Sequence, residues 1–175
     1  IDKAVITRAT KSVAVPDAFK GKPLEGMLYP AHYSFNKGAD ADQILNAMLE
    51  KFSWATQDVT WKFKKFTPYE LLTIASLVQT EGTPDVFGQV ARVIYNRLEK
   101  GMPLQFDSTV HYALNRRGEI RVSIKDTEVK SPYNTFLKRG LPPGPIGSPT
   151  REAINATVNP PEGDWLYFVT VKPRD

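Results

Sequence analysis

Cysteine is absent from the 175 residues, so no disulfide and no thiolate nucleophile or ligand is available. Histidine is almost absent too: His32 and His111 are the whole supply, and without an HExxH-like pairing they give no basis for a histidine-rich metal site. No apolar run reaches the length of a membrane span, and no signal peptide is legible. A dense basic stripe is also missing. The net charge of +4 comes from short clusters such as Lys62, Lys64, Lys65 and Arg116, Arg117, so nucleic acid is not an expected partner. What remains is an ordinary globular composition, 41% hydrophobic and 24% charged, enough to bury one core and form one domain over residues 1–175. The chain opens at Ile1 without an initiator methionine and stops just after a strand-like run, which suggests an excised piece of a longer protein.

The most informative stretch is 67–82, TPYELLTIASLVQTEG. Thr67 can cap a helix, Pro68 suits its first position, and Glu70 completes a capping box. Ile74, Leu77 and Val78 then recur at helical spacing, and Glu81 is the next member of that series. A carboxylate on a buried helical stripe is disfavoured in its charged form, which raises its pKa toward the range a general acid needs. The competing reading is a helix-end carboxylate that swings into solvent, with Gly82 as a left-handed terminus.

Around this stretch the periodicities predict a helix over 40–52 capped by Asp40, and another from the Thr83-Pro84-Asp85 start signal to about Gly101. A short helix follows through Leu114, capped by Asp107 or Ser108, and a further one spans 150–157. Residues 59–64 alternate Val59, Trp61, Phe63 with Thr60, Lys62, Lys64, as a half-exposed strand or extended arm does. Residues 165–171, WLYFVTV, have the composition of a central strand. The expected fold is therefore α+β, a helical portion carrying Glu81 packed against a small sheet that includes 165–171. Residues 115–130 read as a surface excursion that could rim a groove. Prolines and glycines concentrate at 132–149 and suit either a spacer or a stiff wall that a ligand can approach closely. Glu25 is either a second functional acid or the residue that holds the turn at Gly26. Asp107 is either a cap or a group that positions substrate and tunes Glu81.

Taken in order, LEGMLYP, ASLVQTEG, NRLEKGMPLQFDSTVHYAL, SPYNTF, GLPPGPIGSP and YFV resemble the YceG-like endolytic murein transglycosylases, and these motifs run from about Leu24 to Val169. The family's catalytic glutamate sits at the second acid of an ASIxExE-like stretch, which matches Glu81. The first acid is Gln79 here, a departure. The resemblance implies Glu81 as the catalytic residue and places Gln105, Asp107, Ser108, Tyr133, Asn134, Thr135, Pro143 and Gly144 at the substrate, with the loop 142–149 as one wall of the groove. No cofactor and no metal is implied.

The resemblance further implies a bacterial envelope protein outside the cytoplasmic membrane, attached through an amino-terminal anchor and preceded by a LysM-like subdomain, neither in this chain, with the carboxy-terminal end also cut short. Its expected partners are peptidoglycan glycan strands and cell-wall synthesis proteins. A transglycosylase needs one acid that later acts as base, whereas a hydrolase adds a second carboxylate. Two rivals follow: a muramidase-type hydrolase pairing Glu81 with Glu25 or Asp107, and a non-catalytic peptidoglycan-binding or scaffold module.

Overall fold

The computed structural model describes residues 15–116 and 122–169. Five α-helices carry it: α1 (Ala41–Ala55), α2 (Pro68–Glu81), α3 (Phe87–Glu99), α4 (Asp107–Ala113) and α5 (Arg151–Val158). Among the described residues none of them is long and apolar enough to cross a membrane.

The starts of α1 and α2 follow from capping chemistry. Asp40 Oδ1 accepts from Gln43 N at 2.8 Å, and Gln43 Oε1 accepts from Asp40 N at 3.0 Å. Thr67 and Glu70 make the same reciprocal pair at α2, where Glu70 Oε2 accepts from Thr67 N at 2.8 Å and Pro68 fills the first position. Helix α3 begins later than the Thr83-Pro84-Asp85 signal. That triplet forms a turn in which Thr83 Oγ1 donates to Asp85, and the helix itself starts at Phe87 without a side-chain cap. Helix α5 starts as expected, with Thr150 Oγ1 accepting from Ala153 N.

Helix α2 is the centre of the molecule. Every residue from Leu71 to Val78 is buried, so its apolar surface is not a stripe but the whole circumference. It packs against α5 and α3 on two sides and touches α4 at its end. One core joins α2, α3 and α5 with Leu104 and Phe106. A second lies between α1 and α2, where the Phe19 and Trp61 rings meet edge to face at 5.0 Å between centroids. Tyr95 Oη donates to Thr157 O at 2.8 Å and ties α3 to α5 inside the first core.

The small sheet is not there. Among the described residues the only β pairings are two isolated bridges, Phe63 with Phe66 and Pro103 with Arg139, so the α+β expectation is corrected to an all-helical domain with extended connections. Residues 165–169 show why, while Thr170 and Val171 lie outside the described residues. The alternation in this run is real: Leu166 and Phe168 face inward, whereas Tyr167 is 70% exposed and Val169 84%. Its backbone, however, is claimed by side chains of α3 instead of a neighbouring strand. Asn96 Nδ2 donates to the carbonyls of Gly163 and Trp165 (3.0 and 2.8 Å), and Arg97 Nε donates to Leu166 O at 2.7 Å. Arg97 lies over the Tyr167 ring, and Phe168 packs on Phe106. Strand composition signals a half-buried extended chain, and a helix surface satisfies that requirement as well as a sheet does. The alternating 59–64 segment behaves the same way, with Val59, Trp61 and Phe63 laid on the two cores.

Arg97 is buried and also donates through Nη1 to Leu104 O at 2.8 Å, so one guanidinium fastens both the strand-like tail and the loop before α4 to helix α3. Replacing it leaves buried carbonyls unpaired. Arg97→Ala is expected to lower unfolding free energy by about 2–4 kcal/mol in urea titrations, whereas Tyr167→Ala, at an exposed ring, changes it by less than about 1 kcal/mol.

Candidate active site

Glu81 is the last residue of α2. The chain does not turn left-handed after it: Gly82 is extended, with φ −123° and ψ 172°. Glycine is needed there for a different reason. A Cβ at this position would stand 3.1 Å from Val90 Cγ2 and 3.2 Å from Phe87 Cδ1, so a bare backbone lets α3 pack against the end of α2 without those side chains giving way.

The Glu81 side chain is partly buried and faces a cavity of about 820 Å³. Asp107, Ser108, His111 and Tyr112 of α4 line the facing side, with Glu25 on one flank and Ile146 and Gly147 of the proline loop on another. Ser108 Oγ donates a short hydrogen bond to Glu81 Oε1. Burial raises the Glu81 pKa above its ordinary value; the Ser108 bond opposes this and the nearby Asp107 charge reinforces it. The open carbonyl end of α2 adds negative potential at the same place. Among the described residues no group of three or more His, Asp or Glu side chains converges where a metal ion could sit.

Helix α4 is aimed by the segment before it. Gln105 takes a positive φ of 56°. Phe106 N donates to Thr135 Oγ1 at 2.9 Å, which holds the first turn of α4 against the 131–136 loop. The residue flanking the helix start is Phe106, without a side-chain cap, so neither Asp107 nor Ser108 spends its side chain on capping and both are left to the cavity. Arg116 at the far rim is paired with Asp126 at 3.0 Å, and hydrogen bonds from Ser123 N and Oγ, then this ion pair, hold the Asp126 carboxyl down to about 2.

Of the residues expected at the substrate, Asp107 and Ser108 stand with Glu81 in this cavity. Tyr133 borders the adjoining one, its ring 4.7 Å from that of Tyr112. Asn134 and Thr135 are fully buried. Asn134 Nδ2 donates to the carbonyls of Thr127 and Val129, both at 2.8 Å, and its Oδ1 accepts from Phe136 N. Their place is beneath the site, shaping the loop that carries Tyr133. Gln105 is exposed and off the cavity lining, and Pro143 borders a separate cavity with Lys65 and Tyr69. Gly144 lies under Tyr69, where a Cβ would approach the phenol oxygen to 2.5 Å.

The proline loop is a packed wall, not a spacer. Ile146 N donates to Ser76 Oγ (3.1 Å) and Thr150 N donates to Gln79 Oε1 (2.8 Å), so the middle of the wall and its carboxy-terminal end are fastened to α2. Gln79 thereby has a structural task that an amide oxygen performs without charge. His111 was not singled out from the sequence as a site residue. Once 107–113 is a helix, however, residues 107, 108, 111 and 112 share a face. Its Nδ1 is buried without a hydrogen-bond partner.

Comparisons with known proteins give the chain its relatives. The family described as YceG-like matches residues 2–175. The chain is 40% identical over 151 residues to an endolytic murein transglycosylase of Bacillus subtilis, covering 84% of this chain and 42% of that protein. It is 38% identical over 167 residues to one of Streptococcus pneumoniae, covering 91% and 30%. It thus spans less than half the length of these curated relatives. A crystal structure of a yceG-like protein from Listeria monocytogenes superposes with a TM-score of 0.80 at 35% identity, covering 97% of this chain and 59% of that one.

A carboxyl whose folded pKa is raised binds its proton more tightly in the native state than in the unfolded one. Its stabilising contribution is complete below the unfolded value near 4.5 and is lost as pH rises through the folded value. Glu81→Gln removes that loss. The variant is expected to match the parent in melting temperature at pH 4, to exceed it as pH rises through the folded value of the carboxyl, and to keep a constant advantage above that value, measured by thermal denaturation from pH 4 to 8.

Proposed function

The chain belongs to the YceG-like family, and from that membership we propose that it is the catalytic domain of an endolytic peptidoglycan lytic transglycosylase, cleaving the bond from N-acetylmuramic acid to N-acetylglucosamine within glycan strands. The observation that carries this reading is a carboxyl, Glu81, set at the rigid end of a buried helix, open to a cavity and raised in pKa by its burial. Its support from relatives is their name, shared at 38–40% identity.

In this reading Ser108 occupies Glu81 Oε1, leaving Oε2 to carry the proton. Glu81 gives that proton to the glycosidic oxygen as the bond to the muramyl C1 breaks, and positive charge develops on the ring. Asp107 lies near enough to stabilise that charge electrostatically. The muramyl 6-hydroxyl then closes on C1 to form the 1,6-anhydro ring, and the Glu81 carboxylate takes up the hydroxyl proton, returning to its starting state. No water is consumed and no second nucleophile is required. The whole protein would act outside the cytoplasmic membrane, attached through a segment that precedes this domain, alongside cell-wall synthesis proteins.

One observation favours a second reading. Glu25 and Asp107 line the same cavity as Glu81, so a second carboxylate is at hand for a muramidase-type hydrolysis. Product chemistry separates the two. Mass spectrometry of digested glycan strands should show chains ending in an anhydromuramyl unit, lighter by one water than the reducing ends of hydrolysis. Glu81→Gln should lower the cleavage rate about 10²–10⁴-fold while strand binding persists. Reducing ends as the main product would favour the hydrolase, strand binding without cleavage by the unsubstituted chain would reduce it to a binding module, and an unimpaired Glu81→Gln variant would remove Glu81 from the reaction.

A further inference from the structure

Pro142 and Pro143, at the start of the proline loop, do not line the Glu81 cavity. They border a separate one of about 850 Å³, between that loop and the turn that precedes α2, in whose lining Glu25, Glu81, Asp107 and Ser108 take no part. We propose that this cavity is a docking site for a partner protein, receiving a protruding apolar side chain carried on an acidic, extended segment. The proposal is independent of the reaction at Glu81.

The floor selects an apolar knob. Phe66, Leu98 and Leu141 pack on the main core and remain half-exposed where they line the cavity, with Pro142 and Pro143 as a stiff edge. The shape is set before a partner arrives: the Phe66 ring lies 5.3 Å from that of the buried Tyr95, and Leu98 stands on the last turn of α3. A preformed pocket loses little conformational entropy on binding. A concave apolar floor complements a side chain that projects from a protein surface. Membranes are instead met by apolar side chains projecting from the protein, so the concavity speaks against a lipid surface.

The rim selects acidic flanks. Lys22, Lys64 and Lys65 border the cavity, and the two acids beside them are occupied. Glu70 caps α2, its Oε2 accepting from Thr67 N at 2.8 Å and from Thr67 Oγ1 at 3.0 Å, and Glu99 accepts from Lys64. Among the described residues neither Lys22 nor Lys65 is in an ion pair; the Lys22 ammonium stands 5.0 Å from the Tyr69 ring centroid. The local field is positive: the bond from Lys64, then the charges of Lys64, Arg92 and Lys65, hold the Glu99 carboxyl below its ordinary value. No arginine lines the cavity, and lysine acts as a point charge without the planar fork that grips phosphate, so single carboxylates suit this rim. The backbone is bent to present the charges. Lys64 and Lys65 form the tip of a turn closed by the Phe63–Phe66 bridge, and Lys64 takes a φ of 48°, a left-handed position that favours glycine or asparagine. A lysine kept in that conformation marks its charge as the feature the turn serves.

Random peptides displayed on phage and selected against the immobilised 175-residue chain provide the test. The expected consensus is one large apolar residue with Asp or Glu on either side. A labelled copy of the strongest binder is then titrated by fluorescence anisotropy and NMR. Methyl signals of Leu98 and Leu141 should shift as the peptide saturates the chain, while those of Ile146, in the Glu81 cavity, stay in place. Lys22→Glu combined with Lys65→Glu, both at exposed side chains, should weaken binding about tenfold. A consensus without acids overturns the site, as does a folded double variant with parental affinity, or shifts confined to the Glu81 cavity. The NMR arm needs no variant and decides the matter if the double variant does not fold. Co-sedimentation with phosphatidylglycerol vesicles that the double variant loses, with no peptide bound, also overturns it and gives the lysines to a lipid surface.

Discussion

The enclosure of α2 by the rest of the chain is the constraint on which the structure depends. A helix buried from Leu71 to Val78 has nowhere to move, and its last residue, Glu81, inherits that rigidity. Burial of apolar surface thus does two things at once. It supplies the main cohesion of the domain, and it fixes a carboxyl at the mouth of a cavity where burial raises its pKa. Ser108 then sets the carboxyl's orientation through a hydrogen bond from a separate helix. The position of Glu81 comes from packing and its aim from a polar contact, and these are independent parts of the sequence.

The local signals in the chain were sufficient where the structure is decided locally. The Thr67-Pro68-Glu70 pattern and the Asp40 cap specify helix starts because each cap is satisfied within four residues, and the structure keeps both. Glu81 was legible as a candidate because its place in the Ile74, Leu77, Val78 series is a property of one helix. The convergence of Asp107 and Ser108 on it was not legible from periodicity, since it depends on how Thr135 holds the turn before α4. Asn134 illustrates the converse. Its amide is consumed by the carbonyls of Thr127 and Val129, and nothing in the sequence distinguishes a polar residue that meets substrate from one that ties down a loop.

The missing sheet has the same origin. A run such as WLYFV states that alternate residues want cover and that the backbone is extended, but not what provides the cover. Asn96 and Arg97 project from α3 at the right spacing to take the carbonyls that a neighbouring strand would otherwise have bonded. A side-chain amide and a guanidinium have replaced a hydrogen-bond ladder, and the composition of the run carries no trace of that substitution.

Two residues before Glu81, Gln79 receives the amide of Thr150, and one turn earlier Ser76 receives that of Ile146. The proline-rich bank of the cavity and the Glu81 carboxyl are therefore mounted on one rigid rail. On the proposed reading a glycan strand threading between them would meet a fixed gauge on that side, and any widening needed to admit or release it would come from the opposite bank, where α4 leads into the Arg116 rim.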